Sequence, residues 1–139
     1  MLREKKHYLQ MTNGEKRFIN NKIKTIANYF FSNHSEKRMK QKYISKYRIK
    51  RVLTFHDIVE FNFHNNDARV LLREIDLVGN KNSVCVVVSL ITGNIITAYK
   101  NDSTDKHPTI DWNQYDATID IIEKTNQITI RNNLKYLIK

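Results

Sequence analysis

Two arginines, Arg69 and Arg73, stand four residues apart in a β-prone stretch, and Thr97 and Tyr99 stand two apart in another. On strands, where side chains alternate with a period of two, the members of each pair share a face. Beyond them come Asp102, Asp105 and His107, in a polar loop whose Pro108 restricts the backbone beside the imidazole. Two guanidiniums, two hydroxyls and an imidazole make a set suited to phosphodiester chemistry. Breaking an RNA backbone without a metal needs a base for the 2′-OH, an acid for the 5′-oxygen and cations on the crowded phosphorane. Imidazole, with an ordinary pKa of about 6.5, can serve as either acid or base. The planar guanidinium fork matches phosphate oxygens. Plainer roles stand beside these. Thr97 and Tyr99 are ordinary strand formers, Arg69 and Arg73 can pair with Asp67, Glu74 or Asp76, and a histidine in a polar loop is by default exposed.

The elements that would position these groups change character along the chain. Thr12-Asn13-Gly14-Glu15 has the form of a capping box and opens a helix over about 13–31, with Ile19, Ile23, Ile26, Ala27 and Phe30 on one stripe. Glu36 to Tyr47 reads as a basic amphipathic helix with Met39, Tyr43 and Tyr47 on one face. Thr54-Phe55-His56-Asp57 repeats the capping-box form before Ile58, Val59 and Phe61, which predicts a short third helix ending at Asn65-Asn66. From residue 67 onward β-branched residues dominate, and strands are expected over 68–77, 83–91 and 95–100. The turn Thr92-Gly93-Asn94 joins the last two as a hairpin. The unbroken apolar run Val84 to Val88 marks a central strand covered on both faces. After a loop over 101–115, two further strands are expected at 118–123 and 127–131. The fold class is therefore α+β: N-terminal basic helices followed by a mostly antiparallel sheet of four to five strands, in one domain, with a partly closed barrel as the runner-up.

Charge divides the chain in the same place. Residues 1–51 hold 15 Lys and Arg against Glu4, Glu15 and Glu36, a net +12, whereas residues 52–139 are at −2. A surplus of that size points to a polyanionic partner. Lys37, Arg38, Lys40, Lys42, Lys46, Arg48, Lys50 and Arg51, interleaved with Tyr43 and Tyr47, are the candidate grip: cations for a phosphate backbone and aromatics for bases. RNA is the expected partner, DNA a second, and an acidic protein or an anionic membrane surface a third; a solvated helix face is the plain alternative. The single cysteine, Cys85, reads as a buried structural thiol, which suits a reducing cytoplasm. The N-terminus lacks the apolar stretch of a secretory signal, and no apolar run is long enough to span a membrane. No cofactor is expected. There is no phosphate-binding glycine loop, paired-cysteine zinc pattern or His-Glu-x-x-His helix. The acidic residues Asp102, Asp105, Asp111 and Asp116 match no calcium-loop spacing and read as a solvated loop.

The string Arg69-Val70-Leu71-Leu72-Arg73, then Val84 to Val88, then Thr92-Gly93-Asn94-Ile95-Ile96-Thr97-Ala98-Tyr99, then Asp105-Lys106-His107 and Trp112-Asn113-Gln114-Tyr115, resembles the phage-encoded nucleases of the barnase, EndoU, colicin and RelE superfamily. The resemblance covers about residues 54–121. It implies helices leading into an antiparallel sheet and metal-independent cleavage of RNA to a 2′,3′-cyclic phosphate, in a bacterial host cytoplasm, with an inhibitor protein as a further partner. Carried over, it places Arg69 or Arg73 on phosphate, Thr97 and Tyr99 as hydroxyl partners and His107 as general acid or base. His56 would be the second acid-base group if the third helix packs over the cleft. The superfamily also has members with decayed sites, so a non-catalytic RNA- or DNA-binding protein is the alternative.

Overall fold

A computed structural model describes residues 4–26, 28–75, 82–102 and 110–137. Among them are strands β1 (Lys5–His7), β2 (Phe30–Phe31), β3 (His56–His64), β4 (Asp67–Glu74), β5 (Asn82–Ser89) and β6 (Asn94–Asp102), and helices α1 (Asn13–Thr25), α2 (Asn33–Gln41), α3 (Lys46–Thr54) and α4 (Ile121–Leu137). The sheet runs β1-β3-β4-β5-β6-β2, antiparallel throughout except for β2, which lies parallel to β6. The fold is α+β, as the residue pattern implies, but the sheet is mixed and six-stranded. Its two edge strands are its shortest: β1 pairs with Glu60 to Asn62 of β3, and β2 with Asn94 and Ile95 of β6.

All four helices share one core with one face of the sheet. Ala68, Val70 and Leu72 of β4 and Val86 and Val88 of β5 meet Ile19 and Ile23 of α1, Met39 of α2, Ile49 and Val52 of α3, and Ile121 and Ile128 of α4. β5 is central and buried on both faces, Cys85 included. Each helix start is capped as short polar residues should cap it. Thr12 Oγ1 accepts from Glu15 N at 3.0 Å, and Glu15 Oε1 accepts in return from Thr12 N at 2.9 Å. Ser32 caps α2 and Ser45 caps α3 in the same way.

Five expected elements differ in the structure. The first helix ends at Thr25 rather than near 31, because Phe30 and Phe31 leave it to pair with Asn94 and Ile95. The single basic helix over 36–47 is two helices: Lys42 ends α2, Tyr43 takes a left-handed φ of 56°, and Ser45 starts α3. Tyr43 and Tyr47 therefore do not share the buried face of Met39; they are 89% and 73% exposed. The expected helix over 54–65 is β3. A β-bulge there leaves Val59 as the extra residue, so Ile58 and Phe61, three apart, both face the core, which imitates helical spacing. Asn65 and Asn66, both at positive φ, form the tight β3–β4 turn. Finally, 118–123 and 127–131 are not strands. Ile121, Thr125 and Ile128 are buried at helical spacing along α4, and that stripe outweighs the β-branched composition.

The β5–β6 hairpin has the expected glycine at a position only glycine fits. Gly93 sits at φ +76°, and an added Cβ would stand 2.8 Å from both Asn28 O and Ile26 Cγ2. Gly93→Ala is expected to lower stability by about 1–3 kcal/mol, read as a lower urea midpoint. Gly14→Ala, where the nearest atom is Thr12 Oγ1 at 3.7 Å, should be neutral or stabilising, and equal losses at both sites would contradict this account.

Candidate active site

The core-facing residues of β4 alternate with Arg69, Leu71 and Arg73, which point to the opposite face of the sheet. Register then lines up two rungs on that face. One runs Asp57, Arg73, Cys85, Tyr99; the other runs Glu60, Leu71, Val87, Thr97, and β1 extends it by pairing His7 with Glu60. The segment around the 3-10 turn Trp112–Gln114 closes over the rungs, anchored by Asp116 N donating to Lys5 O at 2.7 Å. The result is a cleft of about 510 Å³ lined by His7, Glu60, Arg73, Tyr99, Asn101 and Tyr115, among others. A cleft of this size with convergent polar groups is the form small-molecule and reaction sites take.

Within it the hydrogen bonds fix orientation. Tyr115 donates its OH to Glu60 Oε1 at 2.9 Å, and Lys5 Nζ lies 3.4 Å from Glu60 Oε2. His7 Nδ1 accepts from Leu9 N at 3.1 Å, so the neutral ring carries its proton on Nε2. The ring lies against Tyr115 and Trp112, edge to face, with centroids 5.2 and 5.4 Å away. Burial lowers the His7 pKa below its ordinary value, against the pull of the Glu60 carboxylate to raise it. Burial, followed by the neighbouring Cys85, pushes Tyr99 up to about 12. Burial and the bond to Glu60 push Tyr115 to about 12 as well. Both phenols are therefore neutral donors at physiological pH. Burial also raises the Cys85 thiol, so it is no thiolate nucleophile, and Asn101 Nδ2 approaches its sulfur at 3.8 Å.

The structure thus brings together Arg73 and Tyr99, adds His7, Glu60 and Tyr115, and separates the rest of the expected set. Thr97 shares the face of Tyr99 but stands on the next rung, opposite Val87, and does not line the cleft. Arg69 is tied to Asp67 at 3.0 Å, the plain reading of that residue. His56 is not on a helix over the cleft. It opens β3 and lies 2.8 Å from both Val52 O and Asn20 Oδ1, with burial depressing its pKa. His107 and Asp105 lie outside the described residues. Asp111 and Asp116 accept from backbone N–H groups two residues on, in local turns. Among the described residues no three His, Cys, Asp or Glu side chains converge as a metal site.

The basic surface lies elsewhere. Lys37, Arg38, Lys40, Lys46, Tyr47 and Lys50 on α2 and α3, and Lys42 and Tyr43 between them, are exposed across the sheet from the cleft. Arg48 leaves this group: its guanidinium grips Glu74 through Nε at 3.0 Å and Nη2 at 2.8 Å, and also donates to Asn82 O. Arg51 is half-buried near the same carboxylate.

No family model, curated protein or solved structure matches the chain. Sequence reasoning missed His7 and Glu60 because nothing local marks them; only the pairing of β1 with β3 joins them. No helix among the described residues is long and apolar enough to cross a membrane.

Proposed function

We propose that the cleft cleaves RNA without a metal, by attack of the 2′-OH on the adjacent phosphate to leave a 2′,3′-cyclic phosphate. The observation that carries this reading is the pairing of His7 with Glu60 beside Arg73 and Tyr99. Glu60, its carboxylate held by Tyr115, takes the 2′-OH proton. As the imidazolium, with a second proton on Nδ1 in place of the bond from Leu9 N, His7 returns a proton from Nε2 to the departing 5′-oxygen. The charge of an incoming phosphate favours the imidazolium, offsetting the burial that disfavours it. Arg73 and the neutral phenol of Tyr99 donate to the phosphorane oxygens as their charge grows. The resemblance of the Arg69–Arg73 and Thr92–Tyr99 segments to the barnase, EndoU, colicin and RelE superfamily implies the same roles for Arg73 and Tyr99, but it implies His107, not His7 and Glu60, for proton transfer.

The test is end-labelled RNA incubated with the protein in EDTA. Products with cyclic-phosphate ends are expected, and RNA left intact over long incubation would overturn the reading. Because the free-enzyme His7 pKa is lowered, kcat/KM should fall as pH rises past a midpoint below about 6.5. A second reading, a non-catalytic RNA- or DNA-binding protein, is favoured by the exposed lysines and tyrosines of α2 and α3; salt-sensitive binding without cleavage would select it.

A further inference from the structure

The basic helices and the cleft lie on opposite faces of the sheet, and two further hollows adjoin one another between them. A cavity of about 570 Å³ opens between α1 and the end of α3, with Lys24 and Lys50 at its rim, Phe55 60% exposed beside them, and Asn20 and His56 in its wall. Asn20 and His56 also line a second cavity of about 450 Å³, with Tyr8, Lys16 and Asp57. That second cavity shares Val59 and Arg73 with the candidate active-site cleft of about 510 Å³. The three hollows therefore form a chain around the start of β3.

Their chemistry repeats. Each offers at least one cation and one aromatic face: Lys24 and Lys50 with Phe55, Lys16 with Tyr8, and Arg73 with Tyr99 and Tyr115. Lys16 Nζ already lies 4.8 Å from the centre of the Tyr8 ring. No carboxylate lines the first hollow and only Asp57 lines the second, whereas Glu60 and Asp111 line the cleft at the end of the chain. A cation for each phosphate and a ring for each base is how single strands are held. Duplex bases are stacked inward and cannot enter separate hollows.

We propose that this chain of cavities is a track for unpaired RNA, one nucleotide to a hollow, which carries the strand from Lys24 and Lys50 past Asn20 and His56 to Arg73. The choice of RNA rests on the ribonuclease reading of the cleft. It makes the substrate an unpaired stretch at least three nucleotides long, and it gives His56 a place in binding rather than in proton transfer.

The test uses fluorescein-labelled 2′-O-methyl RNA, which has no free 2′-OH and so cannot be cut by the proposed step, followed by fluorescence anisotropy in about 0.1 M salt. A short unpaired strand should bind more tightly than the same strand in a duplex. Lys24→Glu combined with Lys50→Glu should weaken binding about tenfold or more and flatten its salt dependence. Phe55→Ala should weaken binding several-fold, and Arg131→Glu, on α4, should leave it unchanged. Duplex binding as tight as single-strand binding, or full affinity in the Lys24→Glu/Lys50→Glu variant, would overturn the track. The two readings fail separately: track-dependent binding with natural RNA left intact in EDTA removes the ribonuclease, whereas cleavage that ignores the variants removes the track.

Discussion

Lys6→Met is expected to cost the fold about 3–5 kcal/mol, the largest stability loss we foresee from a single side chain. Lys6 is 5% exposed, and its ammonium has three acceptors: Glu15 Oε1 at 2.8 Å, Glu15 Oε2 at 3.0 Å and Ile119 O at 2.7 Å. Glu15, 4% exposed, in turn accepts from Thr12 N and Ile121 N. The pair therefore joins β1, the start of α1 and the start of α4. Removing the cation leaves a buried carboxylate without its counter-charge. Pairing Lys6→Met with Glu15→Gln should restore part of the loss, because no unbalanced charge then remains; urea unfolding of the two singles and the double measures this coupling. Burial alone would raise the Glu15 pKa, but the bonds from Lys6 and the two backbone N–H groups outweigh it and hold it below the ordinary carboxylate range. A lowered carboxylate stabilises above its unfolded pKa, and that contribution is lost as pH falls through the folded value. Stability should therefore decline on the acid side in the wild type and decline less in Lys6→Met.

The largest functional effect is expected at Glu60. Glu60→Gln keeps the shape and an acceptor for Tyr115 but cannot take a proton, and should lower kcat about 10²–10⁴-fold on RNA while the thermal midpoint shifts little. Arg73→Lys should not rescue Arg73→Ala fully, since a point charge lacks the bidentate fork. Cleavage by Glu60→Gln at the wild-type rate would remove this residue from the chemistry and leave the proton transfer to another group. Tyr115→Phe, which only unties the carboxylate, should cost less and act mainly through a shifted acidic limb of the pH profile.

What could be read from the residues was whatever obeys a local rule. The capping box at Thr12 and Glu15, the glycine turn at Gly93, the central run Val84–Val88 and the shared face of Arg69 and Arg73 all follow from spacing or from a single conformational need. The failures have physical causes. The bulge at Val59 gives a strand the three-residue spacing of a helix, and the isoleucines and threonines of α4 have strand preference but helical burial. His7 and Glu60 were illegible for a deeper reason, since a site made by long-range pairing leaves no local trace.

The alternation of β1 bears on biosynthesis. Lys6 points into the core and His7, next to it, into the cleft, so the same short strand serves both. Ile119 O and Ile121 N, which complete the polar cage around Lys6 and Glu15, exist only once that part of the chain has been made. A nascent chain short of residue 119 lacks these partners and also the Tyr115 hydroxyl if it stops before that residue. Without them β1 keeps its pairing with β3 and the bonds from Lys6 to Glu15, but the cage is incomplete and Glu60 lacks its bond from Tyr115. A chain still being translated would thus carry an unfinished cage and an unclamped Glu60 until residues 115–121 have been made.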